Sequence, residues 1–227
     1  PFLILETGRP LDPLRRHGSF GHWIRVAAGL HEREVRLCDV VHGEALPPAN
    51  DFAGVIVTGS GAMVSDREDW SERSADWLRD AAETGKSLFG ICYGHQLLAH
   101  ALGGAVDYNP RGREMGTVAV RLQPDAATDP LFAALPASFP AQATHRQTVL
   151  TPPGGAAVLA RSDLDDCQAF RWKESTWGVQ FHPEFSTWLM RSYIHARREA
   201  LGNEGACART LQQAVRPAPL ARRVLKR

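Results

Sequence analysis

The sequence predicts an α/β fold: a mostly parallel central sheet with helices on both faces, joined to a smaller antiparallel β element. Three observations carry this. Short apolar runs at 2–5, 34–38, 54–58 and 87–91 alternate with helical stretches at 20–30 and 71–84, the order of a doubly wound sheet. The run Gly54-Val55-Ile56-Val57 is apolar throughout, as a strand covered on both faces must be. After Gly104 strand-like runs follow one another without helices between them, which is the pattern of antiparallel pairing.

Taken in order, Phe2-Leu3-Ile4-Leu5 supplies the first strand. In the stretch 71–84 and the residue before it, Trp70, Trp77, Leu78 and Ala81 fall near one helical face, while Glu72, Arg73, Asp76 and Arg79 lie away from it. Gly85 closes that helix. Strands are expected at 117–122, 156–161, 168–172 and 176–181, with Lys173-Glu174-Ser175 as a hairpin turn. A helix is expected over 186–201, with Trp188, Leu189, Tyr193 and Ala196 roughly on one side. One domain spans 1–205, and 206–227 reads as an extension or frayed tail.

Composition narrows the function. A chain of 227 residues, 44% hydrophobic, can bury one substantial core. A net charge of +1 gives no pull toward nucleic acid, and the late basic groups at 191–198 and 216–227 lack interleaved aromatic side chains. The four cysteines, Cys38, Cys92, Cys167 and Cys207, form no Cys-x-x-Cys pair, so neither a disulfide framework nor a metal site is expected. No apolar run reaches the length of a membrane span and no signal peptide is visible, so the expected setting is the reducing cytoplasm.

The chemistry is carried by Gly90-Ile91-Cys92-Tyr93-Gly94-His95-Gln96, between an apolar strand and a helical stretch. A cysteine at a sharp strand-to-helix turn, with glycine two residues away on either side, has the layout of a nucleophile elbow. Its sulfur would sit at a helix N-terminus, where free N–H groups and the dipole favour the thiolate. A thiolate attacking an acyl carbon needs a base, and that base needs an orienter. His182-Pro183-Glu184, directly after the strand-like Trp177-Gly178-Val179-Gln180-Phe181, supplies both. The remaining histidines, such as His17, His22, His31, His42 and His100, read as surface or packing residues.

The two motifs together, in this order, resemble the class I (triad-type) glutamine amidotransferase family, and the resemblance runs from the first strand to about residue 201. It implies a flavodoxin-like sheet and hydrolysis of the glutamine side-chain amide through a γ-glutamyl thioester. By this resemblance Cys92 is the nucleophile, His182 the general acid/base and Glu184 its orienter. The oxyanion donors fall on the backbone N–H of Tyr93 and on Gly59 or Ser60 in Thr58-Gly59-Ser60-Gly61, where relatives usually carry two glycines and a proline. Gln96 matches the glutamine that hydrogen-bonds substrate.

Arg113-Glu114-Met115-Gly116 and Thr144-His145-Arg146-Gln147-Thr148-Val149 resemble substrate-binding stretches of the guanylate-synthesising members. That makes Glu114, Gly116, Thr144, His145 and Arg146 candidate substrate-binding residues. The second stretch departs from the usual pattern, with Gln147 at an aspartate position and Arg146 at a glycine position. Arg146 is a cation suited to pairing with a carboxylate of some other substrate.

No cofactor or metal is implied. The expected partners are L-glutamine or another γ-glutamyl compound and a separate synthetase that uses the ammonia, because no stretch after about 201 reads as a synthetase. Two other readings are a γ-glutamyl peptidase or hydrolase with the same thioester chemistry, and a binding domain that keeps only the fold.

Overall fold

The computed structural model describes residues 1–226. A nine-stranded sheet runs β2 (Val35–Asp39), β1 (Phe2–Glu6), β3 (Val55–Val57), β4 (Leu88–Ile91), β11 (Thr176–Val179), β10 (Ala169–Trp172), β9 (Ala156–Arg161), β6 (Glu114–Leu122), β7 (Ser138–His145). The first five are mutually parallel, and from β10 onward every neighbour is antiparallel. A two-stranded antiparallel sheet pairs β5 (Ala105–Tyr108) with β8 (Gln147–Thr151). The expected parallel sheet with an antiparallel extension is therefore present, and the antiparallel part is larger than the sequence suggested.

Alternation along β1 shows why both faces are covered. Leu3 and Leu5 enter one core with Val55, Val57 and residues of α2 (Asp69–Glu83) and α3 (Tyr93–Ala101). Ile4 points the other way, into a core with Ile24 of α1 (Phe20–Ala28), Ile56, Ile91 and Val224. A third core lies beneath α4 (Thr187–Ala196), where Phe20, Trp23, Phe185, Leu189 and Tyr193 meet.

Three differences from the sequence reading have local causes. The helix expected over 186–201 is broken at Arg197 (φ −98°, ψ 11°) into α4 and α5 (Arg198–Asn203). Strand β7 escapes a propensity reading because it contains Pro140, which is tolerated at the sheet edge, opposite Ala119. Residues 208–225 pack instead of fraying. Here α6 (Ala208–Ala214) lies against α4 and β6, and Val215, Ala221 and Val224 are buried.

Candidate active site

Strands β3, β4 and β11 are parallel neighbours, so their carboxyl ends open at one edge of the sheet. Three loops meet there: 58–61 after β3, Cys92 after β4, and His182 to Glu184 after β11. Cys92 alone separates β4 from α3. Its backbone lies at φ 53°, ψ −102°, a region L-residues rarely adopt. The turn is held by Cys92 N–H donating to the Val179 carbonyl (2.8 Å) and Gly94 N–H to the Thr58 carbonyl (3.1 Å). A Cβ on Gly90 would lie 2.4 Å from the Gly94 carbonyl oxygen, and one on Gly94 would lie 2.4 Å from that of Val57. The helix can start that close to the sheet only because both positions lack side chains.

His182 is buried beside this turn. Its Nδ1 bonds Glu184 Oε1 at 2.8 Å, while Nε2 engages no group other than the Cys92 sulfur among the described residues. Phe185 stacks on the ring (centroids 4.2 Å apart, 27° between planes), backed by Trp23 and Tyr193. Gly59 closes the opposite side, where a Cβ would come within 3.0 Å of His182 Cε1 and 3.7 Å of Cys92 Cβ.

Burial alone would push the Cys92 thiol up, but the charge of His182, with a smaller contribution from His145, outweighs it and holds the thiol below its ordinary value. His182 behaves reciprocally. Burial disfavours its cation, yet Glu184 and Cys92 raise it to about 10. Each group thus favours the charged form of the other.

The loop 58–61 borders the same turn. Thr7 and Thr58 clamp β1 to β3, Thr7 N–H donating to Thr58 Oγ1 (3.0 Å) and Thr7 Oγ1 to the Thr58 carbonyl (2.9 Å). Ser60 Oγ accepts from the Ala62 N–H (3.1 Å). The N–H groups of Gly59, Ser60 and Tyr93 have no acceptor among the described residues. Tyr93 itself is turned inward, its hydroxyl 2.6 Å from Ser71 Oγ and its ring stacked on Trp70.

The substrate-side residues divide. Cys92, Ser60, Tyr93, Gln96, Thr144, His145 and Arg146 line one small cavity, together with Arg113 and Arg197. Gln96 is held by its Nε2, which donates to the Gln147 carbonyl and to Gln180 Oε1 (2.8 Å each). Glu114 and Gly116 do not line it. The Glu114 carboxylate is buried, bonded to His145 Nε2 (2.9 Å), Ser162 and Gln168. Both nitrogens of His145 are committed, Nδ1 to the Gln147 carbonyl (2.9 Å) and Nε2 to Glu114. Two acceptors on one ring require two N–H groups, so His145 is a cation, in keeping with its raised pKa: burial opposes the charge, and the bond to Glu114 leads the groups that outweigh it.

Gln147 explains its departure from the familiar pattern. Its Oε1 accepts from Val64 N–H (2.9 Å), tying the loop after β3 to the β7–β8 turn. Arg197 and Phe185 were missed from the sequence, and only their closeness to the His182 motif hints at them. Among the described residues no group of side chains could hold a metal, and no helix is long and apolar enough to cross a membrane.

Known proteins resemble this chain in sequence and in fold. The chain is 39% identical over 142 residues to the glutamine-hydrolysing GMP synthase of Aeropyrum pernix, covering 63% of this chain and 25% of that one. It is 28% identical over 197 residues to gamma-glutamyl peptidase 5 of Arabidopsis thaliana, covering 85% and 78%. The chain spans only part of these relatives' length, 25% of that GMP synthase and 56% of the gamma-glutamyl-L-1-hydroxyisopropylamide hydrolase of Pseudomonas sp. The glutamine amidotransferase structure from Methylobacillus flagellatus shares the fold (TM-score 0.80, 23% identity, covering 100% of this chain and 91% of that one). The profile of the family described as glutamine amidotransferase class-I matches residues 18–197, and this chain belongs to that family.

Proposed function

We propose that this chain hydrolyses the side-chain amide of L-glutamine through a thioester at Cys92, giving glutamate and ammonia. The observation that carries the reading is the single buried edge holding the Cys92 sulfur, the Nε2 of His182 and the unengaged N–H groups of Tyr93 and Gly59 or Ser60.

The Cys92 sulfur attacks the amide carbon and forms the S–C bond. Charge collects on the amide oxygen, where the Tyr93 N–H and the N–H of Gly59 or Ser60 stabilise it. His182 gives its Nε2 proton to the amide nitrogen, the C–N bond breaks and ammonia leaves. His182, now neutral, takes a proton from water. The resulting hydroxide adds to the thioester carbon, the S–C bond breaks, and glutamate departs with the thiolate regenerated. Glu184 keeps the proton on Nδ1, which leaves Nε2 for these transfers. A separate synthetase that accepts the ammonia is part of this proposal. It is supported by the likeness to one subunit of the glutamine-hydrolysing GMP synthase of Methanopyrus kandleri (35% identity over 148 residues, 76% of that chain).

A second reading, hydrolysis of a γ-glutamyl amide larger than glutamine, is favoured by one observation. Arg113 and Arg146 line both the catalytic cavity and a groove of about 750 Å³ beyond it, ample for a larger amine. Glutamate release from L-glutamine and from γ-glutamyl peptides, glutathione included, separates the two. Faster turnover of glutamine supports the amidotransferase, whereas turnover confined to peptides moves the assignment to a peptidase. Cys92→Ala is expected to abolish release from any of them. Residual near-normal turnover in that variant would overturn the thioester.

A further inference from the structure

The catalytic cavity is small, about 30 Å³, and its lining is rich in positive charge. Three of the lining side chains are arginines. Arg113, with a side chain 7% exposed, is engaged by the Glu204 carboxylate through two parallel bonds, Nε to Oε2 (2.7 Å) and Nη2 to Oε1 (2.9 Å).

Arg146 and Arg197 have no ion-pair partner among the described residues. Each lies only over an aromatic ring, Arg146 at 4.9 Å from the centre of Tyr108 and Arg197 at 6.0 Å from that of Tyr193. The buried Nε of Arg197 has no acceptor among the described residues. Burial, together with the charges of Arg113 and Arg146, holds the Arg197 guanidinium below its ordinary pKa. Glu204 feels the reverse: its bond to Arg113 first, then the charges of all three arginines, keep its carboxyl low. Three guanidiniums thus line one cavity and only Arg113 is paired with a carboxylate, an arrangement short of negative charge beside Cys92.

Resting on the hydrolase reading above, we infer that Arg113, Arg146 and Arg197 form a carboxylate subsite at the mouth of the catalytic cavity. A γ-glutamyl substrate docks there through a carboxylate, and Glu204 occupies the subsite until substrate displaces it. Glu204 lies at the end of α5, and its pair with Arg113 links it to the residue before β6. Its release frees Arg113. The carboxylate has two possible sources on such a substrate: the α-carboxylate of the glutamyl group, or one carried by the amine portion lying in the groove.

The test uses the full chain carrying Cys92→Ala, so that binding is read without turnover. Calorimetry compares L-glutamine with its α-carboxamide, and γ-glutamylglycine with γ-glutamylglycinamide. Loss of the recognised carboxylate is expected to weaken binding about tenfold or more. The first pair reports the α-carboxylate and the second the amine-side one. Adding Arg146→Gln or Arg197→Gln should collapse that difference, and Glu204→Gln should tighten the carboxylate ligands severalfold by releasing Arg113. Arg146 is exposed, so its variant tests the idea without threatening the fold.

Equal affinity within both pairs, an undiminished difference in Arg146→Gln and Arg197→Gln, or no binding of any of the four compounds overturns the subsite. Parallel glutamate release by the unmodified chain keeps the two claims apart. Carboxylate-dependent binding without release would refute the hydrolase and leave the subsite standing. Release indifferent to the carboxylates would do the opposite.

Discussion

Two buried histidines, each bonded to a carboxylate and each with a raised pKa, flank Cys92, yet the geometry prepares them for different work. His182, just past the end of β11, spends Nδ1 on Glu184 and leaves Nε2 to the Cys92 sulfur. His145, at the end of β7, spends both nitrogens, on the Gln147 carbonyl and on Glu114. A ring with a free nitrogen can accept and return a proton, whereas one with both nitrogens held by acceptors is a fixed positive charge. Position near a nucleophile therefore does not define a base; the uncommitted nitrogen does.

The largest effect that separates them is expected in turnover. His182→Gln should lower kcat by about 10⁴-fold or more, by analogy with removal of a triad histidine, while His145→Gln should leave kcat within roughly a hundredfold. Single-turnover glutamate release decides this. Equal losses in the two variants would erase the distinction between proton carrier and fixed charge.

The next effect tests the orienter. Glu184→Gln keeps the shape of the side chain but removes the charge that leads the upward shift of His182 to about 10. We expect kcat to fall by about 10²- to 10⁴-fold. The alkaline limb of its pH profile, where the imidazolium is lost, should also move toward neutral pH. An unmoved limb would show that Glu184 does not set the charge of His182.

How much of this contrast was legible in the sequence follows from where each group sits. The His182 side was readable because Cys92, His182 and Glu184 occupy short motifs at the ends of apolar parallel strands, and β4 and β11 are neighbours in the sheet. The His145 side was not. Its partner Glu114 is distant in sequence, on a strand paired with β7, and the further partners Ser162 and Gln168 lie elsewhere again. Strands β5, β7 and β8 are short, polar-facing or interrupted by proline, so neither periodicity nor propensity marks them. The breadth of the antiparallel half and the burial of Glu114 emerge only from tertiary pairing. The same holds for Arg197, whose place at the cavity depends on the break between α4 and α5.

Stability should distinguish the histidines as well. His145→Gln leaves the buried Glu114 carboxylate without its cation, a change that typically costs about 3 kcal/mol. Because the folded-state pKa of His145 is raised, its contribution is fully present below the ordinary histidine value and fades as pH rises through the folded value. The gap in denaturation midpoint between the unmodified chain and the variant should therefore be widest in mild acid and narrow in base. A gap that widened with pH would mean that His145 is buried neutral.

The smallest effect is also the most direct reading of the fixed charge. Cys38 and Cys167 are buried with thiols pushed up, Cys38 to about 11, so iodoacetamide should leave both unmodified. Cys207 is exposed and its thiol is lowered, chiefly by a bond to Thr210, so it competes for the reagent. In a Cys207→Ser background the labelling rate against pH reports Cys92 alone. Since His182 and, less strongly, His145 hold that thiol low, the midpoint of the rate profile should lie below that of an ordinary thiol. His145→Gln should shift the midpoint upward, and His182→Gln should shift it further. A larger shift from His145→Gln than from His182→Gln would mean that the fixed cation, and not the proton carrier, keeps the nucleophile ionised.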